Sequence, residues 1–271
     1  MAISSDVKFE RPWECRMPAF RVAGGLYFVG NTSGASWLLD TADGPVLFDT
    51  NYPTLAPQLL ESIREAGFRP ESIAAIFHTH GHYDHYGATA QIKALSGAVT
   101  YMSRADAQLL RQQPEMGLAH LGRHLFPEPP VTDVELEDED VITIGGVPIR
   151  CVACPGHTPG AMSFFFPVTE NGKTYTAAVH GGSGLNTVAR SFMDAYGVDW
   201  RQDFLCSIEK LMPEKVDIFL ANHTKVCRTA QKYQQLLQGE NAFIDSAEWQ
   251  RFLKSLRADF EAMCLREQGA E

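Results

Sequence analysis

Residues 77–87 of this 271-residue chain have the sequence FHTHGHYDHYG. The apolar run at residues 73–77 predicts a buried strand, and residues 88–95 predict a helix, so the segment forms a loop between the two. The loop carries four potential metal ligands in the pattern H-x-H-x-D-H, which are His80, His82, Asp84 and His85.

This ligand pattern indicates a site for two metal ions. Imidazole nitrogens together with a carboxylate oxygen favour zinc over magnesium or calcium, which prefer oxygen ligands. Because a loop can turn alternate side chains to opposite sides, His80 and His82 can hold one ion while Asp84 and His85 hold another. A surface tract or a cloning tag is the alternative interpretation of a His-rich run. The internal position behind a predicted strand disfavours it.

Two later histidines also stand where predicted strands end. His157 lies in the loop CPGHTPG at residues 154–160, which proline and glycine stiffen, and His223 follows a predicted strand at residues 216–220. Three protein ligands for each ion would leave positions open for water. The six predicted ligands are His80, His82 and His157 for one zinc ion and Asp84, His85 and His223 for the other.

Composition and charge restrict the class of partner. The net charge is −10, with 23 basic and 33 acidic residues, which argues against nucleic acid or an anionic membrane as a partner. The sequence contains no apolar run long enough to span a bilayer. The N-terminus shows no secretory leader, so we expect a cytoplasmic protein, or a periplasmic or secreted one if a leader precedes it. The expected partner is a small-molecule substrate, and the sequence predicts no oligomeric state.

The order of predicted elements indicates an α+β architecture. Strands occur in two blocks, each followed by helices, which predicts two sheets packed face to face with helices outside. We expect a single domain over residues 1–271 with an irregular N-terminal arm at residues 1–18. Asn171-Gly172 predicts a hairpin turn. The irregular segment 112–132 predicts a flap over the site, and its two histidines, His120 and His124, are secondary ligand candidates.

These motifs resemble those of the metallo-β-lactamase superfamily. The H-x-H-x-D-H pattern, Gly-His-Thr-Pro-Gly at residues 156–160 and the late His223 stand in the family's order, and the similarity covers nearly all of the chain. The chain is most similar to the third subclass of metallo-β-lactamases, in which histidine and aspartate hold both zinc ions without a cysteine. The resemblance implies an αββα sandwich of two mixed sheets flanked by helices, with the dizinc site at one edge.

One segment separates the chain from other branches of that superfamily. Enzymes resembling glyoxalase II place a metal-bridging aspartate near the end of the strand at residues 175–179, whereas residues 180–184 here are HGGSG, without a carboxylate. Gly181-Gly182 or Ser183 also stands where the third subclass usually has an Asp-Ser pair. His180 and Ser183 are candidate neighbours of the ligands or of the substrate. Asp49 and Thr79 are candidate hydrogen-bond partners of a ligand histidine.

The predicted function is a dizinc hydrolase that opens the amide of a β-lactam, an activity that confers antibiotic resistance. A zinc-bound hydroxide would attack the carbonyl carbon without a covalent intermediate, and Asp84 would bind the second zinc and orient the nucleophile. A hydrolase of a lactone, ester or thioester on the same fold is the alternative. A metal-binding protein without catalysis is a third interpretation.

Overall fold

The computed structural model describes residues 7–122 and 128–269, in which twelve strands form two sheets. The strands are β1 (Phe20–Ala23), β2 (Leu26–Phe28), β3 (Trp37–Leu39), β4 (Val46–Phe48), β5 (Ala75–Phe77), β6 (Val99–Ser103), β7 (Val134–Leu136), β8 (Asp140–Ile144), β9 (Val147–Ala153), β10 (Met162–Glu170), β11 (Lys173–His180) and β12 (Ile218–Ala221).

Nine α-helices accompany these strands in the described residues. They are α1 (Val7–Glu10), α2 (Ala56–Glu65), α3 (Tyr83–Tyr86), α4 (Thr89–Ser96), α5 (Arg104–Gln112), α6 (Arg190–Tyr196), α7 (Arg201–Leu211), α8 (Thr229–Leu237) and α9 (Glu248–Gln268). None of the helices in this part of the chain combines the length and the apolar character needed to cross a bilayer.

Both sheets are mixed. The first has the order β1-β2-β3-β4-β5-β6-β7, with antiparallel pairing from β1 to β4 and parallel pairing from β4 to β7. The second has the order β12-β11-β10-β9-β8, in which only the β11–β12 pair is parallel among the described strands. With helices packed outside both sheets, the predicted αββα sandwich of the α+β class is confirmed.

The two sheets share one aromatic core. Phe48 and Phe77 of the first sheet face Phe164 and Phe166 of the second, and all four side chains are buried. The rings of Phe48 and Phe166 are stacked with centroids 4.9 Å apart, and those of Phe77 and Phe164 meet edge to face at 5.3 Å. Such contacts fix the separation of the sheets, and therefore the positions of the loops at the sandwich edge.

Helices cover the outer face of each sheet because their apolar residues recur at helical spacing. On the first sheet, Leu59 and Ile63 of α2 and Ile92 of α4 belong to one buried cluster with the strand residues. On the second sheet, the ring of Trp249 from α9 lies 5.7 Å from the rings of Phe165 and Phe219.

The predicted hairpin between β10 and β11 is present. Asn171 and Gly172 both have positive φ, at 50° and 76°, as a type I′ turn requires. The seven residue pairs that follow the turn are in regular antiparallel register, from Glu170 opposite Lys173 to Phe164 opposite Val179. The turn therefore fixes the register that places the end of β11 beside the candidate site.

Three short helices stand where the sequence predicts irregular chain. The N-terminal arm contains α1 and a 3-10 helix at Pro12–Cys15, with Val7 buried. Asp84 and His85 lie on α3, a single turn in which the amides of His85 and Tyr86 both bond to His82 O. A four-residue helix is too short to show a hydrophobic period, so the sequence pattern does not reveal it.

Candidate metal centre

Loops from both sheets meet at one edge of the sandwich. The loop after β5 brings His80 and His82, the following α3 brings Asp84 and His85, and the loops after β9 and β12 add the remaining two histidines. The predicted ligands form two groups, and the potential ligand atoms of each group lie within 4.8 Å of one another. The groups are His80, His82 and His157, and Asp84, His85 and His223.

Nitrogen and oxygen atoms converge in each group. In the first, His82 Nδ1 lies 3.1 Å from His157 Nε2. In the second, the Oδ2 atom of Asp84 lies 3.6 Å from the Nε2 atoms of both His85 and His223. The prediction that these six side chains hold two ions stays a prediction, but the fold brings them together in the predicted sets.

Hydrogen bonds orient four of the five histidine rings through the Nδ1 atom. The acceptors are Gly181 O for His80 (2.9 Å), Gly184 O for His157 (2.8 Å), the Asp49 carboxylate for His85 (2.7 Å) and Ser33 O for His223 (3.1 Å). A carbonyl or carboxylate oxygen can only accept, so each Nδ1 must carry the proton. In each ring Nε2 is therefore the nitrogen that is left to face the group.

The donor atoms fit a divalent metal of the zinc type. Within the described residues, the Nε2 atoms of His80 and His85 are buried and have no hydrogen-bond partner. Buried polar atoms are rarely left unpaired, so these two nitrogens indicate a partner that the polypeptide does not supply. Imidazole nitrogen with one carboxylate oxygen, three ligands to a site, is the ligand chemistry of zinc.

The electrostatics of the first group agree with this assignment. Burial, reinforced by neighbouring histidines, holds the pKa values of His80 and His82 well below 6.5, and burial lowers the pKa of His157 to about 4. Burial also disfavours the charged forms of Asp84 and His85, but each stabilises the other's charge. The pKa of Asp84 is consequently lowered and that of His85 raised. The first group is therefore electrically neutral and ready to share lone pairs near pH 7.

Asp49 orients His85 of the second group through a hydrogen bond on the side away from the other ligands. Its Oδ1 accepts from Thr79 N at 2.8 Å, and its Oδ2 accepts from Thr79 Oγ1 at 2.8 Å and from His85 Nδ1 at 2.7 Å. Asp49 follows β4 in the left-handed region, with φ at 57°. Asp49 and Thr79 thus stand where the sequence predicts partners of a ligand histidine, although Thr79 is itself fully buried and does not line the cavity among the described residues.

Asp106, for which the sequence pattern predicts no role, joins the two loops of the first group. From the buried side of α5 its carboxylate accepts from Gly81 N, Thr158 Oγ1 and Gly160 N, each at 2.7 Å. Its own amide donates to Ser103 Oγ, the N-cap of the helix. Acidic residues are common in the first turn of a helix, so the sequence alone does not show that Asp106 also joins two loops.

A cavity of about 370 Å³ opens onto both groups, and Asp84 lies in its wall with Ser183 beside the ligands. The predicted flap contributes Leu118 and Leu121, whereas Lys8 and Phe9 come from the N-terminal arm. No motif in the sequence indicates that the arm reaches this cavity. The only signal is a cation beside an aromatic residue.

The other candidate histidines have different surroundings. The ring of His180 lies 5.0 Å from that of Phe252 and 5.8 Å from that of Trp249, and burial lowers its pKa to about 3. It is absent from the cavity wall among the described residues, so the structure places it in the core and not beside a substrate. His120 lies with Nε2 3.2 Å from the hydroxyl of Tyr196, and His124 is outside the described residues.

Comparison with known proteins assigns the family. The family model described as Metallo-beta-lactamase superfamily matches residues 29–170. The chain belongs to this superfamily. The native FEZ-1 metallo-beta-lactamase from Legionella gormanii superimposes on it with a TM-score of 0.84 at 25% sequence identity, covering 94% of this chain and 98% of that one.

Within the metallo-beta-lactamase superfamily, the structural similarity extends to the third subclass. BJP-1, a subclass B3 metallo-beta-lactamase of Bradyrhizobium japonicum, shares the fold with a TM-score of 0.81 at 24% identity, over 96% of this chain and 98% of that one. A hydroxyacylglutathione hydrolase of Maricaulis maris is 30% identical over 136 residues, which are 50% of this chain and 40% of that protein. The chain thus spans less than half the length of this relative.

Proposed function

We propose that this protein is a zinc-dependent hydrolase that opens the amide bond of β-lactams. The observation that carries the proposal is the ligand set: two groups of three made only of histidine and aspartate, with no cysteine in either. The FEZ-1 and BJP-1 structures support it through their similarity over nearly the whole chain. The substrate would be a small molecule bound in the cavity above both groups.

The residues would divide the work as follows. His80, His82 and His157 would hold one zinc ion, and Asp84, His85 and His223 the other. When bound, zinc supplies a Lewis acid and lowers the pKa of water toward ~7.

The chain's own residues orient these ligands and handle the proton. Asp49 and the backbone carbonyls of Gly181 and Gly184 hold the Nδ1 protons, so that the rings cannot rotate. Asp84 has a second carboxylate oxygen, which would receive a proton from the attacking water and pass it to the leaving nitrogen. Leu118 and Leu121 would exclude bulk water from the substrate.

A thioester hydrolase is the second candidate, because the Maricaulis maris relative is a hydroxyacylglutathione hydrolase. Against it, β11 ends at His180 and continues into Gly181-Gly182 without a carboxylate. Within the described residues, Asp84 is the one acidic member of the two groups. That arrangement favours the lactam over the thioester.

Turnover of both substrate classes by zinc-loaded protein tests the proposal. We expect hydrolysis of a carbapenem and a chromogenic cephalosporin that disappears with a chelator and in His82→Ala, and that persists in the control His120→Ala. Hydrolysis of a hydroxyacylglutathione thioester alone would establish the second candidate. If protein carrying two zinc ions hydrolyses neither compound, both candidates are wrong.

A further inference from the structure

Lys8 brings a cation into the cavity from a distant part of the sequence. Its backbone carbonyl accepts from Thr54 Oγ1 at 2.8 Å, which fixes α1 against the body of the protein. Its side chain lines the same cavity as Asp84 and His223, and its Nζ donates to the hydroxyl of Tyr52 at 2.8 Å. Apart from the histidines, Lys8 is the one basic residue in the cavity wall among the described residues.

Aromatic faces hold this ammonium group. Its Nζ lies 4.1 Å from the ring centroid of Tyr52 and 5.2 Å from that of Phe9, and within the described residues it makes no ion pair. A cation over a ring gains less free energy than a buried charge loses in hydration. Burial accordingly lowers the pKa of Lys8, against the field of Asp84. The group is therefore positioned for an anion that the protein itself does not provide.

The position of Lys8 defines where that anion would be. The Tyr52 hydroxyl accepts from Lys8 Nζ at 2.8 Å, and Lys8, Tyr52 and Asp84 all line the same cavity, so the ammonium group and the second ligand group open onto one space. In a cavity of about 370 Å³, a substrate whose carbonyl faces the ligand groups would thus reach Lys8 with a substituent only a few bonds away.

We propose that Lys8 binds a carboxylate that lies a few bonds from the reacting carbonyl of the substrate, a role that rests on the proposed hydrolase function. The substrate class is then a compact acyl compound with an adjacent carboxylate, such as a bicyclic β-lactam. The carboxylates of a glutathione thioester lie farther along a flexible chain from the reacting carbon. The apolar rings around Lys8 strengthen the ion pair, because they exclude water from it.

A free acid and its methyl ester separate this role from a general effect on the fold. We compare kcat/KM of wild type, Lys8→Met and Lys8→Arg for a chromogenic cephalosporin and its methyl ester. Lys8→Met is expected to lower kcat/KM for the acid by roughly tenfold to a hundredfold through KM, while the value for the ester is unchanged. Lys8→Arg should restore most of the loss, since it keeps the charge.

Lys225→Met is the matched control. Lys225 is exposed and its charge is felt at Lys8, but it does not line the cavity, so both substrates should be hydrolysed as by wild type. Equal losses for acid and ester in Lys8→Met, or equal effects of the two lysine variants, would overturn the proposal.

Equilibrium binding makes the test independent of turnover. Isothermal titration calorimetry on zinc-loaded wild type and Lys8→Met measures the ring-opened cephalosporin acid and its methyl ester. A loss of affinity confined to the acid supports the role of Lys8 even if wild type hydrolyses neither substrate, in which case only the proposed function fails. Equal affinity of the two proteins for the acid contradicts it.

Discussion

Replacing Asp49 by asparagine changes one atom behind the second ligand group. Asparagine has nearly the same shape and tolerates the left-handed φ of 57° at this position, so the backbone should not move. An oxygen at the Oδ1 position can still accept from Thr79 N. The amide nitrogen then occupies the Oδ2 position, where it faces His85 Nδ1 and Thr79 Oγ1 with hydrogens in place of lone pairs.

This substitution changes the hydrogen bonding of His85. Its Nδ1 proton now faces a donor at about the former 2.7 Å, so either the hydrogen bond is lost or the proton moves to Nε2. The second outcome protonates the nitrogen that would bind the metal. Loss of such an outer partner lowers metal affinity by roughly 10- to 100-fold, which corresponds to about 1.4–2.7 kcal/mol.

Zinc titration against a competing chelator measures both sites. We expect Asp49→Asn to weaken one of the two zinc equivalents by this factor and to leave the other unchanged, because the first group makes no contact with the Asp49 carboxylate among the bonds described. Long-range ¹H–¹⁵N spectra of the metal-free protein should show His85 leaving the Nδ1–H tautomer.

Asp40→Asn is the matched control, since Asp40 is an exposed carboxylate immediately after β3. It should retain both zinc affinities. The reasoning is refuted if Asp49→Asn binds both ions as tightly as wild type while His85 keeps its Nδ1 proton.

Three further substitutions test the supports of the site. Asp106→Ala leaves three donors without an acceptor, and at ~1–3 kcal/mol each we expect urea unfolding to show a loss of about 3 kcal/mol or more; an unchanged midpoint contradicts this. Gly156→Ala would place Cβ 2.5 Å from Phe204 Cα and should lower the melting temperature far more than Gly67→Ala, where nothing lies within 4 Å. Because the folded pKa of His180 is about 3 against 6.5, stability is lost as pH falls below 6.5. The contribution of His180 to this loss is about 2 kcal/mol at pH 5, and urea unfolding of His180→Gln should show a loss that is smaller by this amount.

The parts of the site that can be predicted from the sequence are those that depend on neighbouring residues in the chain. His80, His82, Asp84 and His85 are close in sequence, and a strand followed by a loop dictates that they lie together. Strand ends also predict His157 and His223, because β9 and β12 deliver their loops to the same edge. Turn chemistry predicts Asn171-Gly172 for a similar reason: the positive φ angles are a property of those two residues.

The residues that the sequence does not reveal depend on distant contacts. Lys8 reaches the cavity because Thr54 and Tyr52, more than 40 residues later, hold the arm. Asp106 has the composition of a helix cap, and only the packed fold shows which loops it joins. For His180 the sequence is misleading in the other direction. Its place in the sequence suggests the substrate cavity, but the aromatic rings of α9 bury it.

Each ligand group takes residues from loops of both sheets, so an ion bound there would also be a crosslink. His82 and His157 are 75 residues apart and belong to loops of different sheets. An ion that binds only the folded chain adds RT ln(1 + [L]/Kd) to stability, about 4 kcal/mol at a thousandfold excess over Kd. Zinc supply would then set the lifetime of the protein as well as its activity, and starvation for zinc would expose the chain to unfolding and proteolysis.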